Sequence, residues 1–263
     1  MAPVIHVFRH AEAEHNVVPP TVSYSMRDPG LTKKGVQQCD DIRKSFPHQL
    51  QLDLIFASPM TRAVHTACMS LERARYRSSG IILLPDLQEV GNVECNLGSP
   101  GEEIGQEVSE HLVKTLLPND WYEEATGNSY SPRDILERAR RARWVIRAFA
   151  EEYTQIFPDI PDPQIAVVSH GHFLPYLVED YAGSVKRVWK NGEWRSYEFL
   201  EFNQENEDED ACIRETDESL KRHNISRPSF LEHYEALNAL NLKAERQHRL
   251  NVASILSCKL EGI

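Results

Sequence analysis

No apolar run in this chain approaches the roughly 20 residues that a bilayer-spanning helix requires. The opening MAPVIHVFRH also lacks the basic start and long apolar stretch of a secretory signal. Cysteine is scarce: Cys39, Cys68, Cys95, Cys212 and Cys258 form an odd, scattered set without a CxxC pair. That excludes a disulfide framework and fits free thiols in a reducing compartment, so the expected location is cytoplasmic. Positive charge is in deficit as well, with 29 Lys and Arg against 40 Asp and Glu, a formal charge of −11. Nucleic acid and anionic membrane surfaces are therefore repelled at long range, and neither is an expected partner. A GxxxxGKS/T loop is absent, which removes P-loop chemistry.

What is present is an alternation of strands and helices. VIHVF (4–8), LDLIFA (52–57), IILL (81–84) and IAVVS (165–169) are short, apolar and branched, as strands buried on both faces are. Thr32 is placed to cap a helix to about Phe46, and Ser58-Pro59 to start one to about Tyr76. Beyond Asp134 the stripe Ile135, Ala139, Ala142, Ile146, Phe149 marks a long helix whose arginines (138, 140, 141, 143, 147) are expected on its solvated side. The pattern predicts an α/β fold with a mainly parallel sheet. Residues 90–133 break the alternation, carry no strand signal and suggest one helix near Gly105–Leu117; they are expected to form an inserted lid. SYEFLEF (196–202) reads as a last strand, closing a body over 1–202. Residues 203–263 then supply an acidic linker and a helical extension opened by Pro228, with Phe230, Tyr234, Leu237 and Leu240 available for docking on the body or for a homodimer.

The chemistry gathers at strand ends. Arg9 and His10 end the first strand, where open α/β sheets place their ligand crevice. Arg62 falls in the first turn of the helix after the second strand, close to free N–H groups that favour anions. His170, followed by Gly171, ends a further strand, and Glu89 after IILL brings a proton donor to the same rim. Metal ligation by His6, His10 and His15, or by His170 and His172, is the weaker reading, since the spacing matches no recurring pattern and the arginines repel a cation.

These residues resemble the histidine phosphatase superfamily, in its phosphoglycerate-mutase-like branch. The R-H-G-E-x-x-x-N opening stands here as Arg9-His10-Ala11-Glu12-Ala13-Glu14-His15-Asn16, and D-P-x-L-T-x-x-G as Asp28 to Gly35. S-P-x-x-R-A-x-x-T-A runs from Ser58 to Ala67, and S-H-G is Ser169-His170-Gly171. The resemblance implies a three-layer α/β/α sandwich. It also implies His10 as nucleophile, Glu89 as general acid and base, and Arg9, Arg62, His170 and Asn16 around a phosphoryl group, with no metal and no cofactor. Two positions depart from the pattern: Ala11 stands where glycine is usual, and His172 where a small residue is common.

Between residues 90 and 133 eight carboxylates face only Lys114 and Arg133, which disfavours a doubly anionic sugar acid. The expected activity is a phosphomonoesterase working through phosphohistidine on a small phosphorylated metabolite whose leaving part is neutral, cationic or apolar. Trp121 and Tyr122 are placed either to stack on that part or to pack the lid. The alternatives are a phosphoglycerate-type phosphomutase and a non-catalytic phosphatase-like interaction protein.

Overall fold

In a computed structural model of the chain, residues 2–75, 80–91, 93–104, 112–113, 116–122, 131–179, 187–200, 211–229, 231–232 and 234–242 are described. Among them seven strands form one sheet: β1 (Val4–Arg9), β2 (Leu52–Ala57), β3 (Ile81–Leu83), β4 (Leu112–Val113), β5 (Gln164–Ser169), β6 (Trp194–Phe199) and β7 (Ile213–Glu215). The order is β4-β3-β2-β5-β1-β6-β7. The strands from β4 to β1 in that order pair in parallel, while β6 and β7 are antiparallel. Helices are α1 (Pro20–Ser23), α2 (Lys33–Ser45), α3 (Thr61–Ser70), α4 (Glu72–Arg75), α5 (Pro132–Ile156), α6 (Leu174–Leu177) and α7 (Asp217–Arg222).

The chain steps outward from β1 to β2, β3 and β4, then returns in β5, which inserts between β1 and β2. Right-handed crossovers put the helices of the outward steps on one face and that of the return on the other. Accordingly α2 and α3 bury Ile42, Ala63, Val64 and Ala67 against Phe8, Ile55, Leu83 and Val168. On the far face α5 buries Ile135, Ala139, Ala142 and Ile146 against Ile5, Val7, Phe56 and Val167. Alternate residues of each strand thus feed two separate cores, which is why the strands read as unbroken apolar runs. Thr32 caps α2 by accepting from Gly35 N, and Pro132 opens α5.

Several expectations are corrected. Arg138, Arg143 and Arg147 are buried at 2%, 5% and 4% exposure, not solvated; only Arg140 and Arg141 of that set are exposed. The buried three border the apolar stripe, so their stems pack while the guanidinium groups find oxygens: Arg138 binds the Gln88 carbonyl, Arg143 the Tyr176 carbonyl and Arg147 the partly exposed Glu151 carboxylate. The insertion does hold a strand: Leu112 and Val113 form β4 on the sheet edge, inside the stretch expected to be helical. Residues 105–111 of that helix lie outside the described residues. The sheet also continues past residue 202, because β7 adds to β6. Of the acidic linker, 203–210 lies outside the described residues, as does Phe230; the helix at 234–242 docks through Ala236 and Leu240, leaving Tyr234 exposed. No described helix is long and apolar enough to cross a membrane.

His6 sits inside β1 at 1% exposure, bonded to Ser196 Oγ and Gln164 Oε1 and stacked on His48. Burial pushes its pKa down to about 3. Between pH 6.5 and 3 the unfolded chain therefore binds a proton that the folded chain refuses, so this contribution to stability is complete above pH 6.5 and is lost as pH falls. The expected cost at pH 5 is about 2 kcal/mol for this one group. Thermal unfolding should show Tm falling steeply from pH 7 to pH 5, and His6→Gln should flatten that slope; an unchanged slope contradicts the assignment.

Candidate active site

The parallel strands end along one edge, and β5, between β1 and β2, places their carboxyl ends side by side. His10 follows β1 at 1% exposure, its N–H donating to the Ser169 carbonyl at 2.9 Å. Its Nδ1 lies 2.7 Å from the Ala11 carbonyl, an atom that only accepts. Nδ1 therefore carries the ring hydrogen, and Nε2 keeps its lone pair. The loop is braced on three sides: Ala11 N donates to Thr66 Oγ1, Thr66 donates to the Arg62 carbonyl, and Asn191 Nδ2 donates to the His10 carbonyl. Among the described residues the non-glycine positions with positive φ are Asp28, Glu179, Ala211 and Asn224; Ala11 is not one of them, so its methyl group brings no strain.

Arg62 occupies the first turn of α3, whose N-cap Met60 offers no side-chain acceptor. Asp28 supplies it instead, accepting from Thr61 N at 2.9 Å and Thr61 Oγ1 at 2.7 Å. Wholly buried, Arg62 donates Nη1 to the Cys95 carbonyl, while Nε and Nη2 have no partner. Arg9 spends Nη1 on the Trp189 carbonyl and leaves Nε unpaired. Its guanidinium lies against Gly171, where a Cβ would meet Arg9 Nε at 2.9 Å. His170, wholly buried, holds Ser58 Oγ through Nε2 and leaves Nδ1 without a partner; its ring centroid is 5.1 Å from that of His10.

Glu89 comes from the loop after β3. Its Oε1 accepts from Val90 N and Phe173 N, and its Oε2 from His172 N at 3.2 Å. Arg138 fixes the same loop from behind, donating to the Gln88 and Glu89 carbonyls and lying over the Phe173 ring. The His172 side chain is 76% exposed, with Nδ1 3.6 Å from Glu89 Oε2, so it stands at the mouth, facing both solvent and the carboxylate. Asn16 is exposed at the crevice and engaged: Oδ1 accepts from Ala13 N and Asn191 Nδ2, and Nδ2 donates to His15 Nε2. Trp121 is 2% exposed within the core under α3, so it packs the insertion onto the body and is not a stacking platform.

Burial holds His10 and His170 well below the usual imidazole range, with Arg62 adding to the effect on both and Arg9 on His10. Both histidines are neutral at pH 7, while the guanidinium groups stay charged. The crevice therefore presents N–H donors and positive charge around an imidazole with a free lone pair. The chain matches the Histidine phosphatase superfamily (branch 1) over residues 5–211.

The chain belongs to the histidine phosphatase superfamily. The structure is similar to the alpha-ribazole phosphatase from Shigella flexneri (TM-score 0.50, 20% identity, covering 86% of this chain and 100% of that one). It is also similar to the Bombix mori ecdysone phosphate phosphatase solved with tungstate (TM-score 0.52, 15% identity, 74% and 88%). A third likeness is the mycobacterial glucosyl-3-phosphoglycerate phosphatase (TM-score 0.51, 18% identity, 82% and 97%). No curated protein matches the chain.

For this superfamily member, the motif residues Arg9, His10, Arg62, Glu89 and His170 share one crevice, with Asn16 at its edge. Sequence reasoning passed over Asp28, Ser58, Thr66, Asn191 and Arg138 as parts of the site. The first three stood within the matched motifs and carried a signal; Asn191 and Arg138 come from distant loops and helices and carried none. Gly171→Ala should displace Arg9 and weaken inorganic phosphate binding about tenfold by calorimetry with little change in Tm; unaltered affinity contradicts the packing argument.

Proposed function

We propose that the protein is a metal-independent phosphomonoesterase that works through a phosphohistidine on a small phosphorylated metabolite. The observation that carries this reading is the set of buried, unpaired nitrogens around His10: the donors Arg9 Nε and Arg62 Nε and Nη2, with His170 Nδ1 beside them. A tetrahedral dianion is the ligand that satisfies several converging N–H groups at once. His10 Nε2 attacks phosphorus as the bond to the leaving oxygen breaks, and Glu89 gives that oxygen a proton. Glu89, now a carboxylate, takes a proton from water; the water oxygen attacks phosphorus, the Nε2–P bond breaks, and inorganic phosphate departs. The arginines and His170 offset charge on the equatorial oxygens, with the remaining Nδ2 hydrogen of Asn16 available at the rim, so the cycle requires neither metal nor cofactor.

The leaving part is neutral, cationic or apolar. Exposed Glu102, Glu103 and Asp120 give the insertion negative charge, while Glu94, beside Cys95 whose carbonyl holds Arg62, is paired with Arg27 at 3.8 Å. A second anionic group on the substrate is repelled there, which favours hydrolysis over mutase turnover.

Hydrolysis of 4-nitrophenyl phosphate between about pH 4 and 8, with chelator present, tests the reading. Wild-type activity should be indifferent to chelator, and His10→Ala should lose about a thousandfold or more. Glu89→Gln should cost about 10²-fold or more on an alkyl phosphate and far less on the nitrophenyl ester, whose leaving group needs little protonation. Chelator-sensitive activity, or His10→Ala at wild-type rate, sinks the proposal; mutase turnover above hydrolysis overturns its substrate argument.

A further inference from the structure

We infer that His15 is a further ligand of the phosphoryl group, donating to one of its oxygens through Nδ1–H; this rests on the phosphomonoesterase reading above. Asn16 fixes the tautomer of its neighbour. Its Oδ1 accepts from the backbone N–H of Ala13 at 3.1 Å and from Asn191 Nδ2 at 3.2 Å, and two donors on one atom settle which end of the amide is oxygen. Nδ2 is therefore the atom 2.9 Å from His15 Nε2, and as it can only donate, Nε2 must accept. The neutral ring then carries its hydrogen on Nδ1. That nitrogen is buried and has no partner.

A buried N–H donor without an acceptor is costly, and chance placement on a surface loop does not explain one. The surroundings say what it awaits. The His15 ring centroid is 5.7 Å from that of His10, and Arg62 and Arg9 are both close enough to act on it electrostatically. An acceptor entering among these groups is an anion, and Arg9 and Arg62 present their own unpaired N–H groups beside it. Burial holds His15 down to about 3, so it donates as a neutral imidazole throughout the neutral range. Asn191 joins the parts: one side-chain amide contacts both the His10 carbonyl and Asn16 Oδ1, so nucleophile and donor are held by the same residue.

Long-range ¹H–¹⁵N correlation on the wild-type protein reads the tautomer directly. The Nδ1–H form is expected, with that signal moving when inorganic phosphate is added; the Nε2–H form, or a signal indifferent to phosphate, overturns the assignment without any mutation. Calorimetry with vanadate and phosphate supplies the second arm. His15→Phe keeps a ring and loses the donor, and should weaken vanadate binding about 10- to 100-fold. His15→Asn places an amide N–H near the Nδ1 position and should recover part of the loss, whereas His15→Gln, whose amide reaches the Nε2 position, should not. Affinity of His15→Phe within about twofold of wild type removes this role and leaves the phosphatase reading standing. A wild type that neither binds phosphate nor hydrolyses an aryl phosphate removes both.

Discussion

Buried nitrogen donors without acceptors are the constraint on which the structure turns. Each unpaired N–H costs about 1–3 kcal/mol, and two of the groups involved, Arg9 and Arg62, are cations withdrawn from water. The two cores flanking the sheet must hold the groups in place, and an anion that enters recovers the cost as binding energy. A site organised in this way does not rearrange when charge develops on a phosphoryl oxygen, which is the condition for electrostatic stabilisation of a transition state.

Much of the motif set serves to hold this arrangement rather than to touch a ligand. Asp28 caps α3 and thereby aims Arg62. Gly35 lets α2 approach the nucleophile loop, for a Cβ there would meet the Glu12 carbonyl at 2.0 Å. Thr32 and Lys34 then bind the Glu12 carboxylate, tying that helix to the loop after β1. Arg138 braces Glu89 from the opposite face, through the carbonyls on its own loop and the ring of Phe173. Both layers of helices therefore contribute to the geometry at one strand edge, and loosening either core is expected to reach the crevice.

The parallel strands β1, β2, β3 and β5 were legible because each is buried on two faces and reads as a continuous apolar run; the antiparallel β6 overlaps its expected segment but starts two residues earlier, at Trp194, and ends at Phe199. The edge strands β4 and β7, two and three residues long, are too short for any periodicity and exist through their pairing with β3 and β6. The arginines of α5 were misread because residue type was taken for environment: Arg138, beside the stripe residue Ala139, buries its stem and finds carbonyls from a loop 50 positions away in the chain. Trp121 failed as a stacking residue for a related reason, since its ring belongs to a core assembled from distant segments. The residues that meet at the strand ends were legible because three motifs follow β1, β2 and β5, and Glu89 follows β3. What decides the chemistry, namely which nitrogens are left unpaired, is a three-dimensional property that no spacing expresses.

The proposed mechanism rests on His10 Nε2 carrying the phosphoryl group. Rapid acid-free quenching of wild type during turnover, followed by mass spectrometry of the peptide containing residues 9–16, tests this directly. A phosphoryl group on His10 is expected, acid-labile and stable to base, forming and decaying at rates compatible with turnover. Turnover with no phosphorylated enzyme at any time, or a phosphoryl group on another residue, would contradict it.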